Sequence, residues 1–308
     1  GMGSMVIRTG IIGFSEGNGH PFSFSAIVNG YDRKAFSEAG WPVILDYLSR
    51  QPADRFGVGD ARICCAWTQD HSLTQKLCAA CNIERAVKAP EEMLGQIDAL
   101  IIARDDWQTH AKFAMPFLEA GIPVFIDKPL SLDISELEAF QPYLKAGLLM
   151  STSGLRYAIE LEEYTQNKDK IGDIRFVSAT VVNDLDKYGI HILDALSGLG
   201  FSKPRFISRA DTGYESYDIR YDNDVALRLD CLGKVAKTFR INIYGENGNL
   251  HLELANNFMA FRRTLERFFN MVVDRKPPIA PDSVIGTMNL IRLAKSMPPS
   301  QMLEVSNA

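Results

Sequence analysis

The 308-residue sequence lacks the features that mark several large classes of protein. It has no apolar run near the roughly 20 residues that a membrane-spanning helix needs. It has no excess of positive charge. The 33 lysines and arginines stand against 38 aspartates and glutamates, giving a net charge of −5 and a pI of about 5.6. A nucleic-acid surface draws its affinity from clustered basic residues, so that class is set aside. Only five cysteines are present. Cys78 and Cys81 have C-x-x-C spacing but no second pair to complete a zinc site, and Cys64 and Cys65 fall in a core strand. Metal binding is therefore not expected, and core packing is the ordinary role for these thiols. Such cysteine usage fits a reducing compartment, and the chain is expected to be cytoplasmic. There is no low-complexity tract and no internal repeat. Residues 1–4, Gly-Met-Gly-Ser, read as the scar of a cleaved affinity tag rather than a signal peptide.

What is present is an alternation of strands and helices. The length suits two cores. Val6–Ile12 is an apolar run ending at Gly13, and Ala61–Trp67 is a second, followed by a helical stretch from Ser72 to Ala80. Asp98–Ala103 is a third. It leads to Asp106 as the expected N-cap of a helix from Trp107 to Ala120 that stops at Gly121. Strand and helix alternating at this spacing predict a parallel sheet with right-handed crossovers. The fourth run, Ile122–Ile126, has the composition of a strand covered on both faces. It breaks off on Asp127-Lys128-Pro129. Proline cannot donate to a ladder and biases Lys128 towards extended backbone. A charged pair at the carboxyl end of such a strand lies where open α/β sheets hold their ligands. The plain alternative is a surface turn.

After about residue 150 the texture changes. Val225, Leu227, Leu229 and Cys231 alternate with more polar neighbours, as do Phe239, Ile241 and Ile243. Glu246-Asn247-Gly248 then makes a turn before Leu250, Leu252 and Leu254. This predicts an antiparallel meander with one buried face. Helical period returns with Phe258, Phe261, Leu265, Phe268 and Val272 on one stripe, and again from about Ser283 to Lys295.

The order of these elements resembles the glucose-fructose oxidoreductase / inositol dehydrogenase (Gfo/Idh/MocA) family of NAD(P)-dependent oxidoreductases. The resemblance rests on TGIIGFSEGNGH (9–20), ARDDWQTH (103–110), AGIPVFIDKP (120–129), SGLRY (153–157), YGIHILDAL (188–196) and YGENGNLHLEL (244–254). It implies an α/β fold: an N-terminal Rossmann dinucleotide-binding domain over 1–129 and a C-terminal α+β domain with an open antiparallel sheet over 130–308. It also implies hydride transfer between the nicotinamide of NAD or NADP and a sugar, polyol or related hydroxy compound. Lys128 takes the place of the family's catalytic lysine, with Asp127 holding it. His191, in Gly189-x-His191-x-x-Asp194, takes that of the general acid/base, and the two are expected to meet in one cleft. Arg156 and Asp194 are expected near the substrate. Gly13, Ser15, Glu16, Asn18 and His20 are expected on the cofactor, together with Thr68, Gln69, Ala103, Arg104, Asp127 and Lys128. The resemblance further implies a homodimer through the C-terminal sheet, whose other face carries Thr238, Arg240, Asn242 and Tyr244; a tetramer is a further possibility.

Four departures accompany the matches. Ser15 replaces the second glycine of the dinucleotide turn, and Glu16 adds a negative charge where a phosphate would lie. Pro21 still suits the first turn of the following helix. About thirty residues, 31–60, are inserted before the second strand and contain a short amphipathic helix around Trp41–Leu48. At the end of that strand Thr68 stands at the position of the usual ribose-binding acid and no arginine follows at once, which leans to NAD. Lys187, a further catalytic candidate, stands where many relatives carry an aspartate four residues before the histidine, so the proton relay is expected to differ or to be absent. The altered turn and Lys187 keep two alternatives open: a dinucleotide-binding protein without turnover, serving as a sensor or scaffold, and a non-redox lyase or hydrolase using bound NAD transiently. Of the other histidines, His110 is expected to pack, and His71 and His251 to lie on the surface or on a strand face.

Overall fold

The computed structural model describes residues 5–304, so the tag-scar reading of residues 1–4 lies outside the described residues. The chain forms two compact units. One contains the residues up to Thr152 together with Phe261–Pro281, and the other contains Ser153–Ala260 and the residues from Asp282 onward.

The first unit carries β1 (Ile7–Ile12), α1 (His20–Asn29), α2 (Arg33–Ser37), α3 (Pro42–Ser49), β2 (Ala61–Trp67), α4 (His71–Ala80), β3 (Arg85–Ala86), β4 (Ala99–Ile102), α5 (His110–Glu119), β5 (Val124–Ile126), α6 (Ile134–Lys145) and β6 (Leu149–Ser151). Its six strands are all parallel in the order β3-β2-β1-β4-β5-β6. Every residue of β4 and β5 is buried, the pattern of strands covered on both faces. The order reverses between β1 and β4, and in open α/β sheets ligands bind in the crevice at that reversal. Because β6 is the sixth strand of this sheet, the unit runs on to Thr152, beyond the boundary at 129 read from sequence.

Local signals explain most boundaries. Asp70 caps α4 by accepting the amides of Ser72 and Leu73, and Asp133 caps α6 by accepting that of Glu136. Gly121 takes φ +77° just after α5, a conformation that favours glycine. Asp106 departs from expectation. The segment Trp107–Thr109 is a 3₁₀ turn, and the Asp106 side chain caps nothing. It accepts two hydrogen bonds from Arg104 instead, at 2.7 and 2.6 Å. A bidentate guanidinium outcompetes a single backbone donor.

The second unit carries α7 (Glu162–Ile171), β7 (Ile174–Val181), α8 (Ile190–Gly198), β8 (Pro204–Arg209), β9 (Glu215–Tyr221), β10 (Ala226–Cys231), β11 (Phe239–Gly245) and β12 (Asn249–Glu253). The helix α9 (Asn257–Asp274) leads back into the first unit, and α10 (Pro281–Ser296) belongs almost wholly to the second. The sheet order is β12-β11-β7-β10-β9-β8. Here the expected antiparallel sheet needs correction: it is mixed, because β7 and β10 pair in parallel from Ala226↔Phe176 to Cys231↔Val181. Alternation correctly marks the buried set, Leu227, Leu229, Ile241, Ile243, Leu250 and Leu252 among them, each worth about 1.5–3 kcal/mol when fully buried. It carries no information on strand direction, which is set by the long connection between β7 and β10.

Candidate active site

The turn after β1 is shaped largely by the protein's own side chains. A Cβ on Gly13 would lie 2.9 Å from Cγ of Pro21. One on Gly19 would lie 2.4 Å from Cδ1 of Ile44 and 2.9 Å from Cε3 of Trp41. The insertion helix α3 thus rests on the first turn of α1, with the Trp41 ring 6.2 Å from that of Phe14 and 5.9 Å from that of Phe22. Gly17 differs: it has φ +75°, and a Cβ there would meet nothing within 4 Å.

Several groups of the turn are already engaged. The Phe14 amide donates to Gln69 Oε1 at 2.8 Å, and Gln69 Nε2 donates back to the Phe14 carbonyl at 2.5 Å. Ser15 Oγ donates to Asp105 Oδ1 and accepts the Asp105 amide. Among the described residues, the amides of Glu16 and Gly17 take no protein hydrogen bond, and both residues are exposed. A glycine-lined, open pair of amides before a helix N-terminus suits the pyrophosphate of a dinucleotide. Glu16 brings its carboxylate to the same tip.

Arg104 is 6 % exposed. Besides its fork on Asp106, it donates to the Gly13 carbonyl at 3.0 Å and to Gln69 Oε1 at 3.3 Å, and stacks 5.0 Å from the Phe113 ring. Burial opposes ionisation of Asp106, but Arg104 outweighs it and holds that carboxyl below its usual range. Arg104 therefore ties the turn to the end of β4. Thr68 is likewise committed, its hydroxyl engaging Thr74 Oγ1 and the Asp70 carbonyl. The Ala103 amide continues the sheet ladder to the Ile12 carbonyl.

At the end of β5 the Asp127 and Lys128 side chains are buried, with Asp127 2 % exposed. Asp127 Oδ2 accepts from His20 Nδ1 at 2.6 Å and from Asn18 Nδ2 at 3.0 Å, while Oδ1 accepts the Lys128 amide at 3.0 Å. Burial alone would raise the Asp127 pKa. The charges of His20 and Lys128 and the hydrogen bonds from His20 and Asn18 reverse that and hold it well below the usual carboxylate range. One carboxylate thus gathers Asn18, His20 and Lys128 from two separate expectations, a turn and a strand end. His110 packs as expected, between the carbonyls of Arg104 and Leu130.

In the second unit, a π-helical turn over Leu185–Gly189 runs into α8. A Cβ on Gly189 would sit 3.0 Å from Sγ of Cys231, so glycine lets this turn lie against β10. His191 is half-buried, edge-on to Phe239 at 5.7 Å, and its Nδ1 is in short contact with Ser153 Oγ. The hydroxyl can give or take the proton, so this contact serves either tautomer of the imidazole. Asp194 is buried and accepts the Ser153 amide at 2.7 Å. Arg156 lays its stem over Gly198, whose Cβ would lie 3.1 Å from Arg156 Cγ. Lys187 is exposed on the π turn, its amide donating to Asp184. Ser153 and Asp105 were not singled out from sequence, although both lie inside quoted segments; a polar residue beside a strand end was the available signal.

A parallel sheet of this order, with a glycine turn at its switch point and a buried acid–lysine pair at the next strand end, is the arrangement of a Rossmann dinucleotide-binding fold. Residues 39–148 match the model of the Gfo/Idh/MocA family, an oxidoreductase family with an NAD-binding Rossmann fold. The fold is similar to apo scyllo-inositol dehydrogenase from Lactobacillus casei, with TM-score 0.73 and 16 % identity over 96 % of each chain. It is also similar to myo-inositol 2-dehydrogenase from Lactobacillus plantarum, with TM-score 0.74 and 15 % identity over 94 % of this chain and 96 % of that one. A third likeness is to UDP-N-acetylglucosamine 3-dehydrogenase from Acidithiobacillus ferrooxidans, with TM-score 0.68 and 16 % identity over 94 % and 98 %. No curated protein sequence matches the chain.

Proposed function

We propose that the protein is an NAD(P)-dependent dehydrogenase that oxidises a CH–OH group of a sugar, polyol or related hydroxy compound to a carbonyl. The observation that carries this reading is Lys128. A buried lysine at the end of β5, its backbone held by a buried carboxylate that also holds the glycine turn, is hard to account for as a surface turn. Nicotinamide, when bound, supplies the hydride acceptor. In our reading the amides of Glu16 and Gly17 hold the pyrophosphate, Lys128 steadies the reacting oxygen, and His191 accepts the hydroxyl proton, with Ser153 orienting it. Arg156 and Asp194 serve the substrate side. Full engagement of Arg104 and Thr68 within the protein supports NAD over NADP, because neither is left for a ribose phosphate.

We further read the chain as a cytoplasmic homodimer associating through the open face of the second sheet. That face carries Arg240, Asn242 and Tyr244, with Phe176 stacked on Tyr244 at 5.9 Å and Phe206 61 % exposed. Lys187, exposed at the position where many relatives carry an aspartate, favours, as a second reading, dinucleotide binding without turnover.

The test is a calorimetric titration with NAD and NADP, followed by a panel of sugars and polyols read at the reduced-nicotinamide absorbance. Binding with turnover on at least one compound supports the first reading, and binding without turnover supports the second. Failure of folded protein to bind either dinucleotide at millimolar concentration overturns both.

A further inference from the structure

We infer that His20 is a positioning residue for Lys128: through the buried carboxylate of Asp127 it ties the glycine turn to the lysine. The inference rests on the dehydrogenase reading above and adds a residue that the family resemblance does not place near the reacting atoms. Asp127 is ionised, so it can only accept, and the 2.6 Å contact fixes the proton of His20 on Nδ1. The imidazole is held on two further sides, stacked 4.7 Å from the Phe24 ring and edge-on 5.1 Å from that of Phe261. These contacts seat the imidazole, 22 % exposed, against the aromatic side chains of its own unit.

The geometry makes Asp127 a three-way junction. Its Oδ2 is shared by His20 and Asn18, both from the turn, and its Oδ1 holds the amide of Lys128 itself. The His20 amide in turn donates to Asn18 Oδ1 at 2.9 Å, so the two donors from the turn brace each other. Removing the imidazole donor leaves a buried carboxylate with one fewer partner, and such a group reorients or draws in water. Either response moves the backbone anchor of Lys128. Groups that orient a reacting residue in this way typically change rate rather than cofactor affinity.

Three variants separate this role from its rivals. His20→Leu keeps an apolar body against Phe24 and Phe261 and removes the donor. His20→Gln does so with an amide set too far out to replace Nδ1. His20→Asn restores a side-chain N–H near the Nδ1 position. Two readouts are taken on the full chain: kcat and KM for cofactor, and the rate of reductive methylation of Lys128 by formaldehyde and a borane, followed by peptide mass spectrometry with Lys112 as internal reference. We expect His20→Leu and His20→Gln to lose about tenfold or more in kcat, the scale of outer-shell partners, with KM for cofactor little changed. Lys128 methylation should accelerate several-fold relative to Lys112, and His20→Asn should recover both measures. Wild-type methylation of Lys128 in His20→Leu and His20→Gln overturns the inference. So does a loss confined to cofactor affinity, which would mark His20 as a direct contact to the dinucleotide. If no compound is turned over, the dehydrogenase reading fails on its own, and the methylation rates still decide whether His20 positions Lys128.

Discussion

The contact between the insertion and the glycine turn gives a quantitative prediction for Gly19→Ala. Gly19 has φ −84°, which any residue adopts, so the backbone imposes no penalty. The N-cap preference for glycine over alanine costs up to about 1 kcal/mol, and the stiffer unfolded chain returns about 0.4–1 kcal/mol, so the two nearly cancel. What remains is the new methyl. Ile44 Cδ1, 2.4 Å away, is the end of a flexible side chain and can rotate aside. The Trp41 ring at 2.9 Å is set between Phe14 and Phe22 and cannot move without disturbing both. Overpacking of this kind costs about 1–3 kcal/mol. With a urea m-value of about 2 kcal/mol/M, the midpoint should fall by about 0.5–1.5 M. The assay is urea unfolding followed by tryptophan emission, because Trp41, Trp67 and Trp107 all lie in the first unit. In the Trp41→Ala background the cost of Gly19→Ala should shrink to below about 0.5 kcal/mol, the range in which distant sites add independently. An undiminished cost there would refute the claim that α3 dictates the glycine.

Other outcomes follow from the same geometry. The depressed pKa of Asp127 gives stability that is complete above the unfolded carboxyl value, about 3.9, and drains as pH falls below it towards the folded value. Asp127→Asn should therefore flatten the acid limb of a stability-versus-pH curve between about pH 5 and 2, and an unchanged limb would count against the His20–Asp127–Lys128 junction. Arg104→Met should cost about 1–3 kcal/mol by stranding the Gly13 carbonyl and Asp106, while leaving the NAD-to-NADP affinity ratio untouched. A change in that ratio would show Arg104 on the cofactor instead. Tyr244→Glu should convert a dimer to a monomer near 34 kDa by light scattering, and a wild-type monomer would remove the proposed interface.

The parts of this structure legible in the sequence are those written in local periodicity. Ile122–Ile126 announced a doubly covered strand, and the apolar alternation through Leu227, Ile241 and Leu252 marked one buried face. The end of α5 was announced by Gly121 because a positive φ there favours glycine. What local pattern could not carry was partnership at long range. The parallel pairing of β7 with β10 depends on the connection between them, not on either strand's composition. Asp106 has the sequence of a cap, yet a guanidinium two residues earlier claims it. Gly13 reads as a glycine kept small for the cofactor, but Pro21 occupies the space that a side chain would need, as Trp41 and Ile44 do at Gly19. The junction at Asp127 joins residues 107 and 109 positions apart, and only the fold reveals it.

The central claim is that Lys128 acts in hydride transfer, and the most direct measurement is kcat of Lys128→Ala beside wild type, with cofactor and the best substrate of the panel both saturating. The account predicts a loss of about a hundredfold or more, the scale of acid/base and orienting groups, with tryptophan emission and cofactor affinity retained. A variant that turns over at the wild-type rate would contradict it.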